Sequence, residues 1–294
     1  MNSKTKYIKY KKKYLELKKK IGGSNMLNEN IIYKSEKGFP IVIKDNNFII
    51  IKSNINDNGF HSSMSINDPY NTFNMYEYYM LCGLLILPSL KNYLLIGLGG
   101  GYTAKIILKL FPDIDLDIVE YSTEIVYVAK EYFKFIPSDN TNIYINDGVK
   151  FIMDLKFKKY DIISLDAFNE NSKIPSNFLT DIFFNKIKMN LSDNGLFIIN
   201  SILDSVTIKK LLERNFKYFV FITVSPHGIN NIESYNNLVN GNCESINYVF
   251  IASMTNFLNI NRIGDIDLKS IKLPIENMKN ALITSINRKN NLIN

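Results

Sequence analysis

Gly97, Gly99 and Gly101 follow directly on the apolar run Asn92-Tyr93-Leu94-Leu95-Ile96 and lead into a helical segment from Tyr102. A strand that ends in a glycine-rich turn and then a helix is where nucleotide-like ligands sit in doubly wound α/β folds. Backbone without Cβ atoms lets the ligand come close, and the helix start presents unpaired N–H groups. The spacing then separates ligand classes. A dinucleotide fingerprint G-x-G-x-x-G needs a third glycine at position 102, which is Tyr102. G-x-G-x-G over 97–101 is the spacing of S-adenosylmethionine-type sites.

Three acids end the strands that should neighbour this turn. Glu120 closes the run Leu116–Val119, where a carboxylate can accept hydrogen bonds from both ribose hydroxyls of a nucleoside. Its structural alternative is an exposed acid at a strand end. Asp147, followed by Gly148, ends the next strand and can accept from an adenine amino group, cap the following helix, or do both. Asp166 ends the fourth strand, Tyr160–Leu165, beside the position of a sulfonium donor. A carboxylate there can take a proton from an incoming amine or hydroxyl, or it can serve as a turn residue in Asp166-Ala167-Phe168-Asn169.

The elements that must hold these residues alternate in type. Strands are expected at 93–96, 116–119, 143–145, 160–165 and 196–200. The helices between them run over 102–111, from a Ser122 cap to about 134, briefly through 151, and from a Ser176 cap to about 191. A helix near 205–215 and strands at 218–224 and 248–252, joined by a polar loop, complete the pattern. This is an α/β chain with a Rossmann-like, seven-stranded transferase core spanning 71–255. Before it, a helix is expected over 76–87. Short β-rich runs at 31–33, 40–43, 48–51 and 64–66 predict a small antiparallel β unit over 30–70, turned at Lys37-Gly38 and Asp45-Asn46-Asn47. Residues 256–294 read as a polar C-terminal tail with one further helix.

Residues 1–25 form a leader of different character. Tyr7, Tyr10, Tyr14, Leu17 and Ile21 make one apolar seam on a lysine-coated helix ended by Gly22-Gly23. The seam is too short for a coiled coil by itself. It fits a tethered helix, a docking element for an acidic partner or surface, or a packaging tag. The net charge of +7 comes from this leader, because residues 1–20 hold nine lysines and one glutamate. The remaining body is close to neutral and gives no nucleic-acid signal. Cys82, Cys243, His61 and His227 do not form a zinc spacing, so no metal is expected. No apolar run reaches membrane-spanning length, and no secretory h-region is present.

The motifs taken together resemble the spermidine synthase family of polyamine aminopropyltransferases, in its divergent spermidine synthase-like branch. They are Gly97-Leu98-Gly99-Gly100-Gly101, Val119-Glu120-Tyr121, Asn146-Asp147-Gly148, the strand 160–165 with Asp166-Ala167-Phe168, and Ile174-Pro175. Asp68-Pro69, Tyr76-Glu77-Tyr78-Tyr79-Met80-Leu81 and Phe178-Leu179-Thr180-Asp181 extend the likeness over roughly residues 40 to 255. The leader resembles one seen on many proteins of giant DNA viruses.

The resemblance implies a homodimer with decarboxylated S-adenosylmethionine as co-substrate, a small amine as acceptor, and a place in polyamine biosynthesis. It implies Asp166 as proton acceptor, Glu120 as the ribose acid and Asp147 as the adenine acid. Tyr76 matches a substrate-side tyrosine to within one residue of register. Two positions depart from the family. Typical members carry Asp in the glycine loop, where Gly100 stands, and a second Asp where Asn169 stands. Glu170 and Glu77 are the acids available to compensate. The alternatives are an S-adenosylmethionine-dependent methyltransferase, or a binding protein that keeps the fold without turnover. The expected location is the cytoplasm, including that of an infected host cell, or a virion.

Overall fold

The computed structural model describes residues 30–45, 47–54, 60–87, 89–169, 173–225, 228–230, 232–241, 246–257, 271 and 273–293. The leader over 1–25 and Glu170 lie outside the described residues.

Four short strands come first: β1 (Ile31–Lys34), β2 (Ile41–Lys44), β3 (Phe48–Lys52) and β4 (Ser62–Ser65). They pair antiparallel in chain order, and Gly38 turns the first hairpin at φ +93°, a conformation open to glycine. Val42, Ile49, Ile51 and Met64 from this sheet pack with Val128 and Phe133 of the main core. Burying each such side chain contributes roughly 1.5–3 kcal/mol, which fixes the sheet against the core.

One helix was expected over 76–87, but two form: α1 (Met75–Met80) and α2 (Gly83–Ile86). Between them the bonds tighten to i→i+3, with Leu84 N–H donating to Leu81 O and Leu85 N–H to Cys82 O. The tightening lets Gly83 lie against the sheet, where an added Cβ would stand 2.6 Å from Ile198 Cδ1.

The main sheet then follows. Strands β5 (Asn92–Ile96), β6 (Asp115–Glu120), β7 (Thr141–Ile145), β8 (Tyr160–Leu165) and β9 (Leu191–Ser201) are parallel. The late strands are β10 (Tyr218–Ser225), the two-residue β11 (Gly228–Ile229) and β12 (Asn247–Ser253). The order is β11-β10-β12-β9-β8-β5-β6-β7, with β12 antiparallel to both neighbours. The seven expected strands are present, and β11 is a short addition at one edge. β9 begins earlier than expected because the turn at 193–195 is an irregularity inside it; pairing with β8 jumps from Tyr160–Leu191 to Ile162–Leu196.

Alternation along β5 sends Tyr93 and Leu95 into one core layer and Leu94 and Ile96 into the other. The helices α3 (Tyr102–Leu110) and α4 (Thr123–Glu131) cover the first face, and α5 (Gly148–Asp154), α6 (Asp181–Asn190) and α7 (Ser205–Asn215) the second. Ser122 caps α4 as expected, accepting from Ile125 N–H. Ser176 does not cap α6. It starts a single 3₁₀ turn that tucks Phe178 edge-on to Phe183, and Thr180 caps α6 by accepting from Phe183 N–H.

The polar loop after β10 contains α8 (Ile232–Val239). The C-terminal segment contains the 19-residue α9 (Ile275–Ile293), whose Met278, Ala281, Leu282 and Ile286 are buried in the first core layer. Asn230 clasps it, donating from Nδ2 to Ala281 O at 2.7 Å. Among the described residues no helix is long and apolar enough to cross a membrane.

Candidate active site

β5 pairs with β6 on one side and β8 on the other, so the chain's direction of travel through the sheet reverses there. A crevice opens at the carboxyl ends of strands where this happens, and the glycine turn sits in it. Gly97 has φ +91°, and a Cβ added there would stand 2.4 Å from the backbone oxygen of Asp166. Only glycine lets the β5 turn and the β8 end approach this closely. The bond from Asp166 N–H to Ile96 O locks the approach, and that from Gly97 N–H to Val119 O ties the turn to β6, both 2.9 Å.

Glu120 ends β6 and is 9% exposed. Its carboxylate accepts from Leu98 N–H and Ser122 N–H, each at 2.9 Å. Burial raises its pKa, while the N–H groups of Leu98, Ser122 and Tyr121 pull it back down. The acid is thus oriented by the glycine turn itself. Asp147 caps α5, accepting from Lys150 N–H at 2.8 Å, and Asn177 Nδ2 reaches its other oxygen at 3.4 Å. Gly148 is a contact point for Ile96 and Phe178.

Asp166 keeps part of its surface open, yet its surroundings are protein enough that burial pushes its carboxyl up to about 6. Asn200 Nδ2 donates to Oδ1 at 2.9 Å, and the Tyr76 hydroxyl, whose proton reaches His61 O at 3.4 Å, lies near enough to favour the ionised form as well. Asn200 is held in turn by Asn247 Nδ2 at 2.9 Å. Tyr76 is pushed well above its ordinary value by burial, Asp166 and Glu77, so it stays a hydroxyl donor. A carboxylate held by the Asn200 amide beside the Tyr76 hydroxyl, with a pKa near 6, can accept a proton at neutral pH.

The glycine loop, Glu120, Asp147, Asp166 and Tyr76 all fall at this end of the sheet. Asn169 turns to its own loop, accepting from Lys173 N–H at 3.1 Å. Glu77 is buried beside Tyr76. Among the described residues no cluster of His, Cys, Asp and Glu is arranged to hold a metal ion.

Four residues absent from the sequence reading belong to the same place. Asn200 and Asn247 orient Asp166; the strand-end rule that singled out Asp166 applies equally to Asn200, at the end of β9. Ser62 of β4 accepts from Gly100 N–H at 2.9 Å, 38 residues away in sequence. The Phe133 ring lies where a side chain at position 100 would begin, 2.5 Å from an added Cβ. No local signal marks either of these.

A family model for the spermine/spermidine synthase domain matches residues 73–226, just over half of the chain. The chain belongs to the spermine/spermidine synthase family. It is 39% identical over 123 residues to the polyamine aminopropyltransferase of Vibrio vulnificus, a stretch that covers 41% of each chain. It is also 30% identical over 133 residues to the eEF1A lysine and N-terminal methyltransferase of Mus musculus, covering 42% of this chain and 19% of that one. The matched stretches thus span about two fifths and one fifth of these relatives' lengths. In fold it is similar to a probable spermidine synthase from Corynebacterium glutamicum, with TM-score 0.61 and 19% identity over 76% of this chain and 80% of that one. The family's fold is therefore present, and its relatives include both aminopropyl and methyl transferases.

Proposed function

We propose that the protein is a spermidine synthase-like transferase that uses a sulfonium donor of the S-adenosylmethionine type. The transferred group is aminopropyl, moved from decarboxylated S-adenosylmethionine to a small amine in polyamine biosynthesis. The observation that carries this reading is Asp166, held by Asn200 beside the glycine turn and poised near pH 6. In this reading Glu120 binds the donor's ribose, and Asp147 with Gly148 borders its adenine. The neutral amine attacks the propyl carbon next to sulfur as the C–N bond forms and the C–S bond breaks. The electron pair stays on sulfur as methylthioadenosine, and the new ammonium loses its proton to Asp166. Alignment of the two substrates and this proton transfer supply the catalysis.

Methyl transfer on the same scaffold is the second reading. Gly100 favours it, because the acid that typical aminopropyltransferases carry there is absent and Phe133 fills the space. The aminopropyl-transfer reading takes the enzyme as a homodimer whose chains each hold a β unit (30–70) and a core (71–255), in the cytoplasm or carried in a virion, with the leader docking an acidic partner or surface. Calorimetry with S-adenosylmethionine, its decarboxylated form and methylthioadenosine separates the cases. Tighter binding of the decarboxylated donor supports aminopropyl transfer; tighter binding of the carboxylated one supports methyl transfer. Binding of none of the three removes both and leaves a non-catalytic protein.

A further inference from the structure

Glu77 follows Tyr76 on α1 and is 5% exposed. The Thr72 hydroxyl lies near enough to favour its ionised form, but Oε2 is buried with no hydrogen-bond partner. The Nδ2 of Asn74, at the start of the same helix, is buried and unpartnered too. Buried polar atoms in folded proteins are nearly always paired, and an unpaired one bears the full loss of its hydration. Asn74 and Glu77 stand at N-cap and N3, the positions of a capping box, yet Asn74 makes no side-chain cap bond. Helix capping therefore does not account for the pair.

The charges around Glu77 point the same way. Asp166, just after β8, repels its ionised form, and Lys105 on α3 attracts it; Tyr76 and Tyr102 also lie within electrostatic reach. Lys105 makes no ion pair with it; its Nζ donates to Phe133 O at 2.9 Å. Without a cation the carboxyl is held neutral, with burial pushing it up to about 8. A buried carboxyl of this kind ionises when a cation arrives to pair with it.

We infer that Glu77 Oε2 is the binding site for a primary ammonium group of a ligand in the transferase site, in place of the acids missing at Gly100 and Asn169. The inference rests on the sulfonium-donor reading above. An ammonium entering a desolvated site needs a carboxylate partner, and among the described residues Glu77 is an acid within electrostatic reach of Asp166 that still has an oxygen to give. Two sources carry that group: the aminopropyl tail of the donor, or the far end of a diamine acceptor.

Calorimetry on the full chain distinguishes them with two ligand pairs. The donor pair is 5′-(3-aminopropylthio)-5′-deoxyadenosine against methylthioadenosine; the acceptor pair is 1,4-diaminobutane against butylamine. The member of one pair with the additional ammonium should bind at least about tenfold tighter, and Glu77→Gln should erase that preference. Whichever pair responds names the source. Glu77→Asp, which keeps the charge, should retain part of the preference. If Glu77→Gln does not fold, the wild-type comparison still decides, because no preference in either pair overturns the inference. A preference that survives Glu77→Gln overturns it as well. Failure of both adenosine ligands to bind removes the donor reading instead, and the amine pair still reports on Glu77.

Discussion

The ring of Phe133 occupies the space into which a side chain at Gly100 would project, with Cδ1 2.5 Å from the added Cβ. Phe133 is 1% exposed and packs with Val42, Ile51 and Met64 of the N-terminal sheet. The glycine at 100 is thus part of how the β unit seats on the core. An acid at this position would meet that ring.

Restoring that acid should fail. Gly100→Asp forces the Phe133 ring out of a filled interface, and overpacking of this kind costs about 1–3 kcal/mol. Thermal unfolding should show the loss, and calorimetry should show no gain in affinity for decarboxylated S-adenosylmethionine. A stable Gly100→Asp protein that binds this donor more tightly would show that the ring yields easily.

Asp166→Asn should spare donor binding and lower turnover by about 100- to 10,000-fold, the usual contribution of a positioned base. With the Asp166 carboxyl near 6, the wild-type rate should fall as pH drops through that value, because the protonated acid cannot accept the amine's proton. Single-turnover rates between pH 5 and 8 check both points. An unchanged rate in Asp166→Asn would falsify the assigned mechanism.

Asn200 offers a finer test, since its bond to Asp166 favours the ionised carboxylate. Asn200→Leu removes that bond at similar volume, so the rising limb of the pH–rate profile should move to higher pH. Activity at pH 6 should drop far more than activity at pH 9. Equal losses at both pH values would mean that Asn200 acts only on the fold.

Glu120→Ala should abolish donor binding and destabilise the fold by about 1–3 kcal/mol, because the buried N–H of Leu98 loses its acceptor. Glu120→Gln keeps an acceptor and should recover stability more than affinity. Calorimetry paired with chemical denaturation separates the two effects.

Stability should also depend on pH through Glu77 and Lys105. Glu77 has an ordinary value of 4.5 and is raised to about 8 in the fold, so between these values the folded chain holds a proton the unfolded chain has lost. Stability therefore falls as pH rises toward 8. Lys105 is lowered from 10.5 to about 8, so above pH 8 the unfolded chain holds the extra proton and stability rises. The Tm should decline from pH 6.5 to 8 and recover above it. Glu77→Gln should remove the decline, and a decline that persisted would assign it elsewhere.

How much of this was legible beforehand follows from the range of the interactions involved. The strand 92–96, its glycine turn and the helix after it are set by neighbours in sequence, through apolar alternation and backbone freedom. Glu120, Asp147 and Asp166 could be read because strand ends converge in any open parallel sheet. The single helix expected over 76–87 missed because Gly83 is drawn onto Ile198, a contact across the chain. Thr180 replaced Ser176 as the α6 cap for a similar reason, since Phe178 is pulled into the core first.

The sequence by itself determined the parallel core, the order of its strand ends and the acids that stand on them. Periodicity and turn chemistry are local, and they leave their mark residue by residue. Only the tertiary structure decided what surrounds those acids. It brought Asn200 and Tyr76 to Asp166, laid Ser62 on Gly100, filled the space at Gly100 with Phe133, and left Glu77 buried with an oxygen unpaired. Each of these follows from packing between segments distant in the chain, where burial and close contact set the chemistry of a side chain.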